Sequence, residues 1–378
     1  MDLNAINAVV QLFYLQRGVT VSQIYFLGIA FSVGVLLFDI PSSYLADKWG
    51  RKNTILLGVL VNLVANGYLF FANGFWPFFI DTFILAISYS FFFGVEDAFI
   101  YDNAKEMKQE GIVIKTAGKY AAAGRVSKIL TPFLGVLIAK NLSPSEFNIL
   151  LFINFISSAF AVFFATKLVE PKRFIEKFRT QLSVFKDGLS TFWNTRALRT
   201  FALNKTSIFI ASFIFWRFYQ EALYTRGFSV LLLGLIYPVS NAILVLVFVL
   251  APRISEKINY PLVFNSIIWA TLGASVLFVL TEFKLALYFS AIILLTVATI
   301  RDPFFFQQIH YRIKSYNRAT TASILGVFKN VSDIPLLLLS GYLASFGGKW
   351  IMILPITLSL MALIFFRIKP KYIIRRTK

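Results

Sequence analysis

The sequence predicts an all-α membrane protein of about twelve transmembrane helices, arranged as two pseudo-symmetric six-helix bundles. Three observations lead there. Apolar runs of about twenty residues recur along the whole chain, the length a helix needs to cross ~30 Å of hydrocarbon. Of the 378 residues, 58% are hydrophobic and only 15% charged, against roughly 25% charged in soluble domains. The loops between the runs alternate between rich and poor in Lys and Arg, the asymmetry that orients membrane helices. Gly and Pro lie inside many of the runs, where a membrane helix tolerates them and a soluble one does not.

Taken in order, the first run, 3–16, is short. At 1.5 Å per residue it reaches only ~24 Å. A shortened first helix or an internal start is expected, and in a longer helix Asp2 would face a central cavity. The remaining helices are expected at 22–46, 53–72, 77–103, 117–140, 147–167, 200–219, 230–252, 259–280, 285–310, 320–344 and 350–366. One set of loops carries Lys48, Arg51, Lys52, then Lys105, Lys108, Lys115, Lys119, a long basic stretch from Lys167 to Arg199, then Arg253, Lys257, Arg312, Lys314, Arg318 and the tail. The other set carries only Arg17, Lys140, Arg226, Lys284 and Lys349. The basic set belongs in the cytoplasm, which puts both termini there and the protein in the cell membrane.

The long loop divides the chain. Residues 1–168 form a first bundle, 169–199 a cytoplasmic linker, and 200–378 a second bundle with a basic tail. In the linker, Phe174, Phe178, Leu182, Phe185 and Leu189 fall at helical spacing opposite a basic face, so it is expected to lie on the inner membrane surface. The halves repeat faintly. Leu45-Ala46-Asp47-Lys48 aligns with Leu250-Ala251-Pro252-Arg253, Glu96-Asp97 with Arg301-Asp302, and Pro132 with Pro335 at a slightly smaller offset. Parallel repeats of this kind are a transporter plan.

The composition also excludes. The net charge of +19 is spread over loops and forms no single patch, so nucleic acid is not the expected partner. There is no cysteine and one histidine, so neither disulfides nor a thiol or His-rich metal site is expected. No nucleotide-binding loop, HExxH or Gly-x-Ser-x-Gly occurs, so no enzyme is expected. The partners are a small-molecule solute and the bilayer, the chain a monomer, and no cofactor is needed beyond a proton gradient as driving force.

The block Ser42 to Ile55, SSYLADKWGRKNTI, lies between the second and third helices. It resembles the signature loop of the major facilitator superfamily, G-x-L-A-D-[RK]-x-G-R-[RK]-x-x-[LI]. Leu45, Ala46, Asp47, Lys48, Gly50, Arg51, Lys52 and Ile55 match, and Ser43 stands where the first glycine is usual. The upstream Asp39-Ile40-Pro41-Ser42 resembles the lead-in of prokaryotic members. The resemblance implies rocking of two halves about a central site. It also implies a conformational latch of Asp47, Gly50, Arg51, Lys52 and Asp102, with Asp47 meeting the start of the eleventh helix near Thr320 to Ser323 and Arg51 pairing with Asp102. The second-half counterpart, LAPRISEK, lacks the acid, so the latch is expected on one side only. The fifth helix retains Pro132 and Gly135 of the drug-proton antiporter pattern, but has Thr131 where that pattern has glycine.

A charge at the bilayer centre costs about 2.5–3.5 kcal/mol on insertion scales, so those inside the spans must pair, neutralise or line a wet cavity. Glu96 and Asp97 on the fourth helix are expected against Arg125 and Lys128 on the fifth. Arg301 and Asp302 on the tenth are expected against Lys329 and Asp333 on the eleventh. Glu96 first, and Asp302 second, are the candidate proton carriers; the same residues also read as structural ion pairs. Arg217 and Glu221 are expected as an i,i+4 pair, and His310 as an interfacial structural residue. Phe91 to Gly94 and Phe304 to Phe306 flank the acidic positions and would line an apolar pocket. The intramembrane acids, the aromatic content and the general resemblance to efflux members point to proton-coupled export of a small amphipathic or cationic molecule. The alternatives are uptake of an organic anion or sugar, with Arg125, Lys128, Arg217 and Arg301 on the solute, or a transport-dead sensor.

Overall fold

The computed structural model describes residues 4–92, 95–106, 113–171, 190, 192–254, 259–302, 304–305, 308 and 318–373. The described residues are helical with short connections, and no strand occurs among them. Asp2, His310, Phe306, most of the expected linker and the end of the basic tail lie outside them. The chain forms two compact units, Met1–Glu176 with Ser229–Pro238, and Lys177–Phe228 with Val239–Lys378.

Unit 1 begins with a 3-10 turn, Ala5–Ala8, followed by α1 (Val10–Gln16). Then come α2 (Val21–Trp49), α3 (Arg51–Tyr68), α4 (Phe75–Phe92), α5 (Val95–Glu106), α6 (Val113–Ile138) and α7 (Pro144–Thr166). Helix starts are written locally. Thr20 and Gln23 form a reciprocal capping box at α2, with the Gln23 amide donating to Thr20 Oγ1 at 3.3 Å and the Thr20 amide to Gln23 Oε1 at 2.9 Å. Ser143 and Glu146 do the same at α7, where Pro144 takes the first helical position. The 29 residues of α2 span about 43 Å at 1.5 Å each. They therefore overrun the hydrocarbon and carry Asp47 and Lys48 on the last helical turn.

The fourth expected span is described as α4 up to Phe92 and α5 from Val95, with 93–94 outside the described residues. The first breaks into a 3-10 turn and a short helix joined at Val9. Its backbone is tied to α7: Ala5 N donates to Asn154 Oδ1 at 2.8 Å, and Asn154 Nδ2 to Asn4 Oδ1 at 3.0 Å. The turn packs on α6 so closely that a Cβ on Gly135 would collide with the Ala5 carbonyl. Gly135, noted from sequence as an antiporter position, has a local packing reason. The core beside it gathers Phe13, Phe78 and Phe147, with Phe13 5.6 Å from Phe78 and 5.3 Å from Phe147.

Unit 2 holds α8 (Arg196–Trp216), α9 (Tyr219–Tyr224), most of α10 (Val230–Ile254), α11 (Tyr260–Leu280), α12 (Lys284–Ile300), α13 (Arg318–Ala344), α14 (Gly348–Ile351) and α15 (Ile353–Ile364). α8 is central, packing on α12, α13 and α15. Phe201, Phe264 and Phe305 meet near its N-terminal end, with ring centroids 4.4–5.8 Å apart. Asn204 Nδ2 ties α8 to the Phe366 carbonyl at 2.9 Å.

Five described helices are long and apolar enough to cross a membrane: Val21–Asp39 of α2, α4, α7, Val230–Leu250 of α10, and α11. α6, α8 and α13 are as long but more polar. They carry Arg125 and Lys128, Lys205, and Lys329 and Asp333, while the apolar spans of α2 and α4 carry single acids, Asp39 and Asp81.

Gly135→Ala is expected to destabilise unit 1 by about 1–3 kcal/mol, the usual cost of overpacking. Gly273→Ala on α11, where a Cβ would meet nothing within 4 Å, should change stability by no more than about 0.5 kcal/mol. Melting curves of both variants in one detergent compare them directly.

Candidate functional site

The α2–α3 junction of unit 1 is built on Gly50. It closes α2 and opens α3 with φ +112° and ψ 153°, a region open in practice only to glycine. The turn leaves the first amides of α3 unpaired within the helix and facing outward. They are taken by Glu170, just beyond α7: Arg51 N donates to Glu170 Oε1 at 2.8 Å and Lys52 N to Oε2 at 2.7 Å. A carboxylate at a helix start is favoured by both the free amides and the helix dipole. A Cβ at Gly50 would stand 2.8–2.9 Å from the carboxylate atoms of Glu170, so the glycine is required twice over. Arg51 Nε donates to Asp102 Oδ2 on α5 at 2.6 Å, with Asp102 nearly buried. Ala46, Ile55 and Val95 pack beside this pair. The loop residues Lys48, Gly50, Arg51 and Lys52 thus surround a clasp that joins α3, α5 and the segment after α7. Asp47 lies exposed on the last turn of α2. The side chains of 320–323, its expected contact, lie outside the described residues.

Glu170 was not read from the sequence as a site residue. Its only local signal is an acid followed by Pro171 directly after a transmembrane run, which does not say which helix it caps.

Two other intramembrane acids of unit 1 form a second group, and Asp81, buried on α4 with neither oxygen hydrogen-bonded, stands apart. Glu96 on α5 and Asp39 on α2 both lie within electrostatic reach of Tyr89 on α4, whose ring is 5.6 Å from Phe31. Arg125 and Lys128 are half-buried on α6, which packs on α5. The Asp97 side chain lies outside the described residues.

Unit 2 corrects the expected pairing. Arg301 and Asp302 engage α8 rather than Lys329 and Asp333. α12 ends at Ile300, and Arg301 caps it with no solvent exposure. Its Nη1 donates to Asn204 Oδ1 at 2.9 Å, and its Nη2 to the carbonyls of Asn204 and Lys205 at 3.2 and 2.7 Å. The guanidinium also lies 4.9 Å from the Phe305 ring. Enclosed and bonded in this way, Arg301 braces α8. Asp302 pairs with Lys205 Nζ at 2.9 Å. The reason is geometric: the turn at Arg301 aims both side chains back at the neighbouring α8. The Arg217–Glu221 pairing is also replaced. α8 stops at Trp216 and α9 begins at Tyr219, so the two residues no longer share a helix, and the cation near Glu221 is Arg226.

Arg217, Lys329 and Asp333 come together instead. Lys329 Nζ and Asp333 Oδ2 are 3.4 Å apart, one turn apart on α13. Asp333 is buried, and its Oδ1 has no hydrogen-bond partner. Lys329 Nζ lies 4.6 Å from the Phe209 ring centroid, and the Arg217 guanidinium 4.5 Å from that of Phe213. Phe209, Phe213 and Trp216 form a stacked ladder on α8, with centroids 5.6 and 5.9 Å apart and the Phe213 and Trp216 planes within 4°. Arg217 is within electrostatic reach of Asp333. The arrangement is an aromatic face flanked by two cations, with one buried acid beneath. The ladder was missed from sequence, although Phe209, Phe213 and Trp216 at i, i+4 and i+7 mark one helix face. Among the described residues no acidic or histidine cluster fit for a metal ion occurs.

The family model described as Major Facilitator Superfamily matches residues 1–334. The chain belongs to the major facilitator superfamily. Solved structures similar to it include a mutant of the nucleoside transporter NupG, with TM-score 0.75 and 14% identity over 96% of this chain and 94% of that one. A bacterial homologue of the human lysosomal transporter Spinster, in an inward-facing and occupied conformation, aligns with TM-score 0.74 and 14% identity over 97% and 92%. A D-xylose-proton symporter aligns with TM-score 0.72 and 13% identity over 98% and 94%. At such identities the likeness shows the fold alone. No curated protein matches the chain. As a member of this superfamily the protein is a multi-pass membrane transporter and not an enzyme.

Gly50→Ala should cost about 1–3 kcal/mol through backbone strain. Glu170→Ala should cost a similar ~1–3 kcal/mol through two lost charge-assisted bonds. The double variant should lose less than the sum, since removing Glu170 removes the steric conflict. Thermal unfolding of the three variants reads this coupling; strict additivity would contradict the contact.

Proposed function

We propose that the protein is a proton-coupled secondary transporter of a small organic anion with a flat or apolar part, working by alternating access with both termini in the cytoplasm. The Lys329–Asp333 pair against the Phe209–Phe213–Trp216 ladder carries this reading. With Asp333 ionised, the cluster of Arg217, Lys329 and Asp333 has a net positive charge, which suits an anion better than a cation. The ladder offers π-faces to a planar or apolar portion. Lys329 can exchange Asp333 for a solute anion, and Asp333, left buried without a counter-charge, would then take a proton. This chain of events couples solute to proton in one cluster, and it replaces Glu96 and Asp302 with Asp333 as the first candidate proton carrier. The latch at Gly50, Arg51, Asp102 and Glu170 is the conformational element in this scheme.

A second reading, export of a cationic amphipathic molecule, draws on unit 1. There Asp39 and Glu96 lie near Tyr89 and Phe31, acids beside aromatic rings that suit a cation.

Proteoliposomes loaded with a panel of organic anions and cations under a pH gradient separate the two. Lys329→Gln and Arg217→Gln should each raise the half-saturating anion concentration about tenfold, one ion pair's worth at ~1.4 kcal/mol. Asp333→Asn should keep solute exchange across the membrane and lose accumulation driven by the pH gradient. Uphill accumulation by Asp333→Asn would sink the coupling scheme, and accumulation of cations alone would favour the second reading.

A further inference from the structure

Two adjoining hollows on unit 2 play no part in the scheme above. The first is a notch of about 480 Å³ between the start of α11 and the segment after α15. Arg367 and Lys369 line it together with Asn259, Asn265 and Ser266, and no acid does. Both cations are exposed, and neither has an acidic partner among the described residues. They are nonetheless held in place. Asn265 Nδ2 donates to the Ile368 carbonyl at 3.1 Å, and the Ile368 amide donates back to Asn265 Oδ1 at 3.3 Å. The residue between the cations is thereby pinned to α11, with its own side chain buried.

The second hollow is an apolar groove of about 850 Å³ between α11 and α12, running past Trp269, Leu277, Leu280, Phe289 and Ile293. Gly273 opens its floor, since a Cβ there would meet nothing within 4 Å. Trp269 lines both hollows, so they join. The joined feature is cationic at one end and apolar for about 16 Å beyond, the rise of α11 from Trp269 to Leu280 at 1.5 Å per residue.

We propose that this notch and groove bind one anionic phospholipid, its phosphate on Arg367 and Lys369 and one acyl chain laid past Gly273. Charge complementarity selects the occupant. Two cations without an acid favour a net negative headgroup, and a zwitterionic lipid brings its own ammonium against them. A free phosphate would use the notch and leave the groove empty. The proposal is independent of the identity of the transported solute. It relies on the orientation proposed above only for the leaflet, which would be the cytoplasmic one, where anionic lipids attract basic segments.

Delipidated full-length protein titrated with phosphatidylglycerol and with phosphatidylcholine, and read by native mass spectrometry, tests it without any transport assay. Phosphatidylglycerol should bind more tightly. Arg367→Gln with Lys369→Gln should weaken it about thirtyfold and leave phosphatidylcholine unchanged. Gly273→Leu, which fills the groove, should weaken it too, and inorganic phosphate should fail to displace it. In the unaltered protein, phosphatidylglycerol with brominated chains should quench tryptophan fluorescence more than the brominated choline lipid does. That excess should vanish in Trp269→Phe. Equal binding of the two lipids, indifference to the double substitution, displacement by inorganic phosphate, or no excess quenching would each overturn the proposal. The quenching comparison decides the matter if a variant fails to fold.

Discussion

The cost of holding a charge among apolar helices governs both units. Most described cases are met by a partner in the same unit; Asp81, buried on α4, has no hydrogen bond at either oxygen. Arg301, fully enclosed, has three oxygens of α8 and the face of Phe305. Arg51 has Asp102, and Asp302 has Lys205. These groups stay among apolar neighbours because the partner is preformed. Where the group is buried, as at Arg301 and Asp102, removing its partner leaves it uncompensated, which is why these contacts act as braces between helices.

Asp333 departs from this pattern. It has one partner, Lys329, at 3.4 Å, and one oxygen with none. A brace would be fully bonded, as Arg301 nearly is. A group left half-bonded beside a cation that also faces aromatic rings is the least-bonded buried acid described in unit 2. That makes it the group whose state a solute or a proton changes at least cost. The same contrast of full against partial bonding sorts the intramembrane charges into structural and functional ones better than their positions along the helices do.

The α2–α3 junction of unit 1 shows how a family sequence motif becomes a mechanical part. The Gly50 backbone lies where only glycine is comfortable, and the freed amides of α3 meet Glu170 from more than a hundred residues away. With Arg51 on Asp102, the start of α3 is held from two directions. A block that reads as one loop is a junction of three chain segments.

The sequence by itself determined the class, the number and order of the long helices, and the family, because hydrophobic length and the LADKWGRK block are local and additive along the chain. It also named Arg51 with Asp102 through the family resemblance, and it named Arg217, Lys329 and Asp333 as candidates. Only the tertiary structure decided who meets whom. The turn at Arg301 sends its guanidinium to α8 and not to α13, the break after Trp216 separates Arg217 from Glu221, and Glu170 reaches α3. Each of these depends on where a helix stops and which neighbour lies within a side chain's reach. Apolar periodicity in a membrane helix carries little of that information, since lipid-facing and partner-facing positions are apolar alike and the packing of unlike helices is decided by a few small or polar residues.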